Sequence, residues 1–324
     1  MKALVNTGPG RLELLEMPRP TTGPGEVLIR TRSVGICATE LEMIAGWERT
    51  GFPAIPGHEW FGEVAACGPE VPADWVGRAC VGENVWPDGR EVGFELPGGY
   101  AEFFVTKAAN LHLLPEGFPF EVAPLMEPLA VCVRGMKRVR ADYESPVLVL
   151  GDGPIGMLMA WLLARLKSPV LMVGGRPGRL RIARETGIRE TADFHSFPGT
   201  QAEGIMAAFG RKFPTVVDAT GAGDAMHAAM DVLERAGRIL MVSSAGLDEA
   251  RFLWTKILWG EIEIIGSNAS EGGWPGAIRL AGSHELPLDR LVTHRLPVER
   301  FAEGLDLLRD ESIAVLKVVL DWAR

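Results

Sequence analysis

The run Val147-Leu-Val-Leu-Gly151-Asp-Gly153-Pro-Ile-Gly156 constrains this chain more than any other stretch. Four consecutive apolar residues stopped by a turn signal suit a strand covered on both faces. Met157-Leu-Met-Ala-Trp-Leu-Leu-Ala164 has the length and composition of a buried helix after it. Between strand and helix, G-x-G-x-x-G has a mechanical meaning. Gly151 lets the chain turn, Gly153 lets backbone approach a pyrophosphate, and Gly156 lets helix and strand pack closely. The helix N-terminus then offers unpaired N–H groups and the positive end of its dipole to the phosphates. In a chain with 39 glycines the pattern alone carries little. Its flanks make it an expectation of dinucleotide binding at Gly151, Gly153, Pro154, Ile155 and Gly156, against the alternative of a glycine turn with no ligand.

A length of 324 residues, 47% hydrophobic, is enough for two domains with their own cores. The balance of 33 basic and 42 acidic residues, 33 − 42 = −9, and the lack of a Lys/Arg run argue against a nucleic-acid partner. Apolar stretches are broken by Gly, Pro or charge well short of a membrane span, and no cleavable leader is visible, so a cytoplasmic protein with no membrane partner is expected. Cys37, Cys67, Cys80 and Cys132 show no C-x-x-C spacing; free thiols are expected, one of them available to a metal.

From Lys2 to about Lys107 the text reads as short strands punctuated by Gly and Pro: Ala3 to Asn6, Arg11 to Glu16, Glu26 to Val34, Gly62 to Ala66 and Tyr100 to Thr106. Glu127-Pro128 and the apolar run after it read as a helix with proline in its first turn, joining two domains. Beyond the glycine turn, strands (Val170 to Val173, Thr215 to Asp218, Arg238 to Ser243, Glu261 to Ser267) alternate with helices (Arg179 to Glu185, Ala225 to Arg235). That alternation predicts βαβ units and a parallel sheet covered on both faces. Helices near Pro275 to Ala281 and Val298 to Arg309 and a strand at Val315 to Leu320 close the chain.

Ahead of the glycine turn lie Gly35-Ile-Cys37-Ala-Thr39-Glu40, Pro56-Gly57-His58-Glu59 and Met126-Glu127-Pro128. Thiolate, imidazole and carboxylate are the donor types of a catalytic zinc, which keeps one position open. Singly each has a plain reading: Cys37 as a small buried residue, His58 and Glu59 as a turn pair, Glu127 as a charge favouring a helix N-terminus. Their order is what matters. With Val217-Asp-Ala-Thr-Gly221 and Leu291-Val-Thr-His294, these motifs make the chain resemble the zinc-dependent medium-chain alcohol dehydrogenase family over nearly its whole length. The polyol, threonine and sugar dehydrogenase branch is the nearest.

The resemblance implies an α/β fold in which a Rossmann doubly wound parallel sheet domain (129–268) is inserted in a GroES-like β-rich catalytic domain (1–128 and 269–324). It implies that Cys37 and His58 bind one catalytic zinc, that Glu59 and Glu127 are the other candidate donors, and that Thr39 takes the substrate proton. Hydride would pass between a secondary alcohol, polyol or sugar hydroxyl, or the matching ketone or aldehyde, and NAD(P), in a cleft between the domains. Thr220 and Ser243 would lie by the nicotinamide and Lys317 near the cofactor phosphates. A homodimer or homotetramer would pair through the edge strand of Glu261 to Ser267.

Three departures from the family stand out. The four-cysteine lobe for a structural zinc is missing, and Asp88-Gly89 is expected to close a short hairpin in its place. Glu40 and Glu42 stand where relatives often continue the proton relay with histidine or aspartate. Val173-Gly174-Gly175-Arg176-Pro177-Gly178-Arg179 lacks the acid that holds the ribose 2′-OH in NAD-preferring enzymes. Gly175, Arg176 and Arg179 are therefore expected at a 2′-phosphate, favouring NADP while leaving NAD possible. His112, His195, His227 and His294 read as surface or structural histidines; Trp47, Trp60 and Trp86 suit either a substrate wall or core packing. The alternatives are a metal-free quinone or enoyl reductase of the same superfamily and a catalytically silent nucleotide-binding protein.

Overall fold

Strands form where apolar runs can be covered, and two sheets result. A computed structural model describes residues 1–47, 49–141, 144–243 and 248–322, and its contacts divide the chain into two units. The first unit comprises Met1–Glu127, Ala277–Asp310 and Lys317–Arg324; the second comprises Pro128–Gly276 and Glu311–Leu316.

In the first unit β1 (Lys2–Gly8) and β2 (Arg11–Glu16) pair as an antiparallel hairpin. A larger sheet holds β3 (Glu26–Ile36), β4 (Trp60–Cys67), β5 (Ala79–Gly82), β6 (Phe103–Lys107) and β7 (Leu111–Leu113). β3 pairs with both β4 and β6 and is buried on most of both faces, which is why its alternation is imperfect. A short helix, α1 (Ala38–Ala45), continues directly from β3, and α2 (Met126–Val139) carries Pro128 in its first turn, where the missing N–H costs nothing. Asp88-Gly89 closes a tight turn as expected: Trp86 N donates to Arg90 O at 2.8 Å, and Val85 bridges Glu91.

The second unit alternates strand and helix: β8 (Val147–Leu150), α3 (Pro154–Arg165), β9 (Val170–Gly174), α4 (Pro177–Glu185), β10 (Glu190–Asp193), α5 (Gln201–Phe209), β11 (Phe213–Asp218), α6 (Gly223–Val232), β12 (Leu233–Met241), α7 (Trp254–Gly260) and β13 (Glu263–Gly266). All neighbouring strands are parallel, in the order β10-β9-β8-β11-β12-β13. The order reverses beside β8, and ligands of such sheets bind outside the carboxyl ends of the strands at that switch point. The glycine turn follows β8 directly. After α8 (Trp274–Gly282), β14 (Val292–Pro297) leads through α9 (Phe301–Arg309) to β15 (Lys317–Asp321), which lies between β14 and β3 in the larger sheet of the first unit.

Several boundaries differ from the sequence reading. The helix expected over Ala225 to Arg235 stops at Val232, because Leu233 already pairs with Phe213 and the chain turns through Ala236 at φ 58°. Residues 269–276 and Glu311–Leu316, expected in the catalytic domain, pack with the second unit. Gly273 lies against the Ala130 backbone, and Ala314 lies against Gly178. The helices α1, α5 and α7 were not anticipated.

Candidate active site

Cys37 directly follows β3 and is the N-cap of α1. His58 and Glu59 lie at the entry to β4, the strand paired with β3, so register brings the two segments together. One sulfur of Cys37, one ring nitrogen of His58 and one carboxylate oxygen of Glu59 all lie within 4.8 Å of one another. Thr39 Oγ1 is 3.6 Å from Cys37 Sγ. Glu59 reaches this position only because Gly35 has no side chain: a Cβ there would fall 2.2 Å from Glu59 Oε2.

The surrounding charges are arranged to hold these groups. Glu40, fully buried, accepts from Cys37 N at 2.7 Å and from His58 N at 3.4 Å, and its Oε1 lies 2.6 Å from His58 Nδ1, although out of hydrogen-bond alignment. Burial opposes charge on His58, but Glu40 and then Cys37 outweigh it and hold the imidazole pKa well above its usual value. Lys317, only 2% exposed, donates to Glu59 Oε1 at 2.6 Å and to Ile36 O at 3.3 Å. Burial opposes its charge too, and Glu59 overcomes that, raising the Lys317 pKa. Glu59 Oε2 remains buried with no partner among the described residues. A buried ionised oxygen without a donor is costly, and a cation would satisfy it. A thiolate, an imidazole and a carboxylate within one ion's reach, with that orphan oxygen among them, fit zinc.

Glu127 does not join the three converging donors. From the first turn of α2 it feels their charges: burial pushes its pKa up to about 8, with His58 resisting and Glu59 adding. Lys317, expected near cofactor phosphates, is instead the buried partner of Glu59. Glu40, which stands where relatives continue the relay, accepts from the backbone of Cys37 and His58 and lies beside the His58 ring. The signal was present as the capping pattern Cys37-x-x-Glu40. Tyr100 was also missed. It is fully buried, its hydroxyl has no partner among the described residues, and burial and then Glu40 hold its pKa well above the usual phenol value. Trp60 is core, donating to Asn84 Oδ1 at 2.9 Å, whereas Trp47 edges Phe94, whose ring lies 5.0 Å from that of His58.

In the second unit Gly153 caps α3 with Pro154 at its first turn, and Gly156 is obligatory because a Cβ there would fall 2.0 Å from Gly151 O. At Gly153 a Cβ would meet nothing nearer than Arg179 Nη1 at 3.9 Å, so the turn leaves an open cradle of the kind a pyrophosphate fills. Both arginines proposed for a 2′-phosphate have protein partners. Arg176 Nη2 meets Glu311 at 3.3 Å, and Arg179 Nε donates to Val315 O at 2.7 Å. Burial and then Arg176 draw the Arg179 pKa down to about 10, so it stays charged at neutral pH. The Thr220 hydroxyl donates to Asp218 Oδ1 at 2.6 Å and fastens its own turn; Ser243 ends the described segment beyond β12. His195, read as a surface residue, is exposed, with its ring beside Gly175. Among the described residues no helix is long and apolar enough to cross a membrane.

Known proteins place these two units in one family. Residues 23–116 match the alcohol dehydrogenase GroES-like domain, and residues 154–283 match the zinc-binding dehydrogenase domain. The erythritol/L-threitol dehydrogenase of Mycolicibacterium smegmatis is 30% identical over 97% of this chain and 96% of its own. An alcohol dehydrogenase of E. coli CFT073 in complex with NADH superposes with a TM-score of 0.92 at 23% identity, covering 99% of both chains. A Sinorhizobium meliloti 1021 chain described as a zinc-binding dehydrogenase and bound to NADP gives 0.87 at 21% identity, covering 99% of this chain and 98% of that one. These two structures speak to the fold alone. From its matching domains and its full-length relative, the chain belongs to the zinc-dependent medium-chain alcohol dehydrogenase family.

Proposed function

We propose that this chain oxidises a secondary hydroxyl of a polyol or sugar, and reduces the matching ketone, using one catalytic zinc and a nicotinamide dinucleotide. The observation that carries this reading is the convergence of Cys37, His58 and Glu59 within 4.8 Å in a chain that also has an open glycine turn at its switch point. That convergence is also what opposes a metal-free reductase. The polyol named for the M. smegmatis relative supports the substrate class.

Zinc held by Cys37, His58 and Glu59 would supply Lewis acidity, of the kind that lowers a bound water's pKa from about 15.7 to about 7. Thr39, half-buried and 3.6 Å from the thiol sulfur, offers the hydroxyl that receives the substrate's proton and passes it outward. Glu40 anchors the backbone of Cys37 and His58 and sets its charge beside the His58 ring, so the donors are held before substrate arrives. Glu127, buried at the first turn of α2 and outside the converging set, is a candidate donor only if it moves to the ion when Glu59 withdraws. Gly151, Gly153 and Gly156 and the N-terminus of α3 bind the pyrophosphate, while Thr220 and Ser243 line the nicotinamide end. The test is a panel of tetritols, pentitols, hexitols and simple secondary alcohols with NAD and NADP, repeated after chelation and after zinc is restored. Polyol turnover lost on chelation and regained with zinc is expected; turnover indifferent to chelation, with quinones or enones preferred, would overturn it.

The active form is proposed to be a homo-oligomer. β13 is the last strand of its sheet, and beside it Leu253, Trp254, Leu258 and Trp259 are 71%, 79%, 72% and 75% exposed. An open strand edge flanked by large apolar side chains suits pairing with a second copy about a two-fold axis. Trp254→Lys combined with Trp259→Lys is expected to yield monomers in sedimentation velocity; an unchanged oligomer would place the interface elsewhere.

A further inference from the structure

The residue between the first two glycines of the turn has a function that neither the motif nor the family resemblance assigns. Asp152 is buried, and its Oδ2 accepts from Gly175 N at 3.0 Å and from Arg176 N at 2.8 Å. These two N–H groups lie between the end of β9 and the start of α4. Its other oxygen is 3.7 Å from Arg179 Nη1, beyond hydrogen-bond length, and so retains the capacity to accept. The residue that ends β9 is Gly174, and a Cβ built there would fall 2.3 Å from Asp152 Oδ2 and 2.5 Å from Asp152 Cβ. The carboxylate of Asp152 therefore fills the space that a side chain at the end of the second strand would occupy. In dinucleotide-binding sheets that place belongs to the acid that holds the ribose 2′-OH. The acid that seemed to be missing is supplied from the glycine turn, and Gly174 is the residue that leaves room for it.

We propose that Asp152 is the specificity-determining acid of the dinucleotide site, accepting from the ribose 2′-OH and repelling a 2′-phosphate, so that this chain prefers NAD to NADP. The inference rests on the dehydrogenase reading above and reverses the preference expected from Arg176 and Arg179. Those arginines do not make the site cationic. Arg176 is paired with Glu311, Arg179 faces Asp152, and the four side chains sum to zero charge. A 2′-phosphate would bring a near-dianion against a fixed carboxylate, and like charges juxtaposed at a binding site weaken binding strongly.

The test is equilibrium binding by calorimetry, without turnover, of NADH and NADPH to the zinc-loaded wild-type chain and to Asp152→Asn. The amide oxygen of asparagine can still accept from Gly175 and Arg176, so the turn keeps its anchor while the charge is lost. The wild type is expected to bind NADH at least about tenfold more tightly than NADPH, and the variant to narrow that ratio by about tenfold or more. A wild type that prefers NADPH, or a folded variant with the same ratio, overturns the proposal. So does equal weakening of both nucleotides, which would make Asp152 only a brace for the turn. If Asp152→Asn fails to fold, the wild type decides alone: 5′-AMP binding more tightly than adenosine 2′,5′-bisphosphate is expected, and the reverse order overturns it. A folded wild type that binds neither nucleotide ends the dehydrogenase reading and the proposal with it; binding both without discrimination ends the proposal alone.

Discussion

Cys37→Ala is expected to strip the chain of its zinc and to lower alcohol oxidation by about a thousandfold or more, the kinetic equivalent of the several kcal/mol a Lewis acid contributes. The measurements are metal content by atomic emission and kcat under saturating substrate. Removing the thiolate leaves His58 and Glu59, too few donors for a catalytic zinc. Glu40→Gln should be milder, because it touches the metal site through His58 and the Cys37 amide rather than as a donor. Zinc affinity is expected to fall by about ten- to a hundredfold, with the ion still bound at saturating zinc. Full zinc content and activity in Cys37→Ala would remove the thiolate from the metal site.

Lys317→Met is expected to destabilise the chelated protein by about 3–5 kcal/mol, because it leaves the Glu59 carboxylate buried without its ammonium partner. Urea denaturation followed by tryptophan fluorescence would read this as a lower midpoint. The loss should shrink when zinc is present, since the ion offers Glu59 another positive charge. It should also shrink in the double variant Lys317→Met with Glu59→Gln, which buries no unpaired charge. A drop below about 1 kcal/mol, the scale of an exposed ion pair, would mean that Lys317 is no structural partner of Glu59.

Much of this was legible along the chain because the signals were local. Five of the six parallel strands and the glycine turn follow from apolar runs and turn residues lying side by side in the text, whereas β10 (Glu190–Asp193) carries no apolar run and was not anticipated. The three converging residues were legible by type and order but not by distance, since β3 and β4 bring Cys37 and His58 together through sheet register. Glu127 shared the right chemistry and order, yet does not join the three converging donors. Lys317 was mistaken for a phosphate ligand because nothing near it in sequence reports that it lies beside residue 59. Asp152 escaped notice because motif reading treats the position between the glycines as free. What decides its role is the space above Gly174, a property of two neighbouring strand ends. The capping pairs Cys37-Glu40 and Thr200-Glu203 were written in the sequence and would have revealed α1 and α5.

The position of β15 has a consequence for how the protein is made. Val318 to Asp321 pair with Ile36 to Ser33, and Lys317 neutralises Glu59, so a strand translated after all six strands of the second unit pairs with one translated before them. Until then the edge of β3 that awaits β15 is open and Glu59 lacks its lysine. The nascent first unit therefore waits through the whole translation of the second, which can fold as a block in the meantime. The β3–β15 pairing and the Glu59 ion pair thus arrive as late events of biosynthesis, timed by the return of the chain to its own beginning.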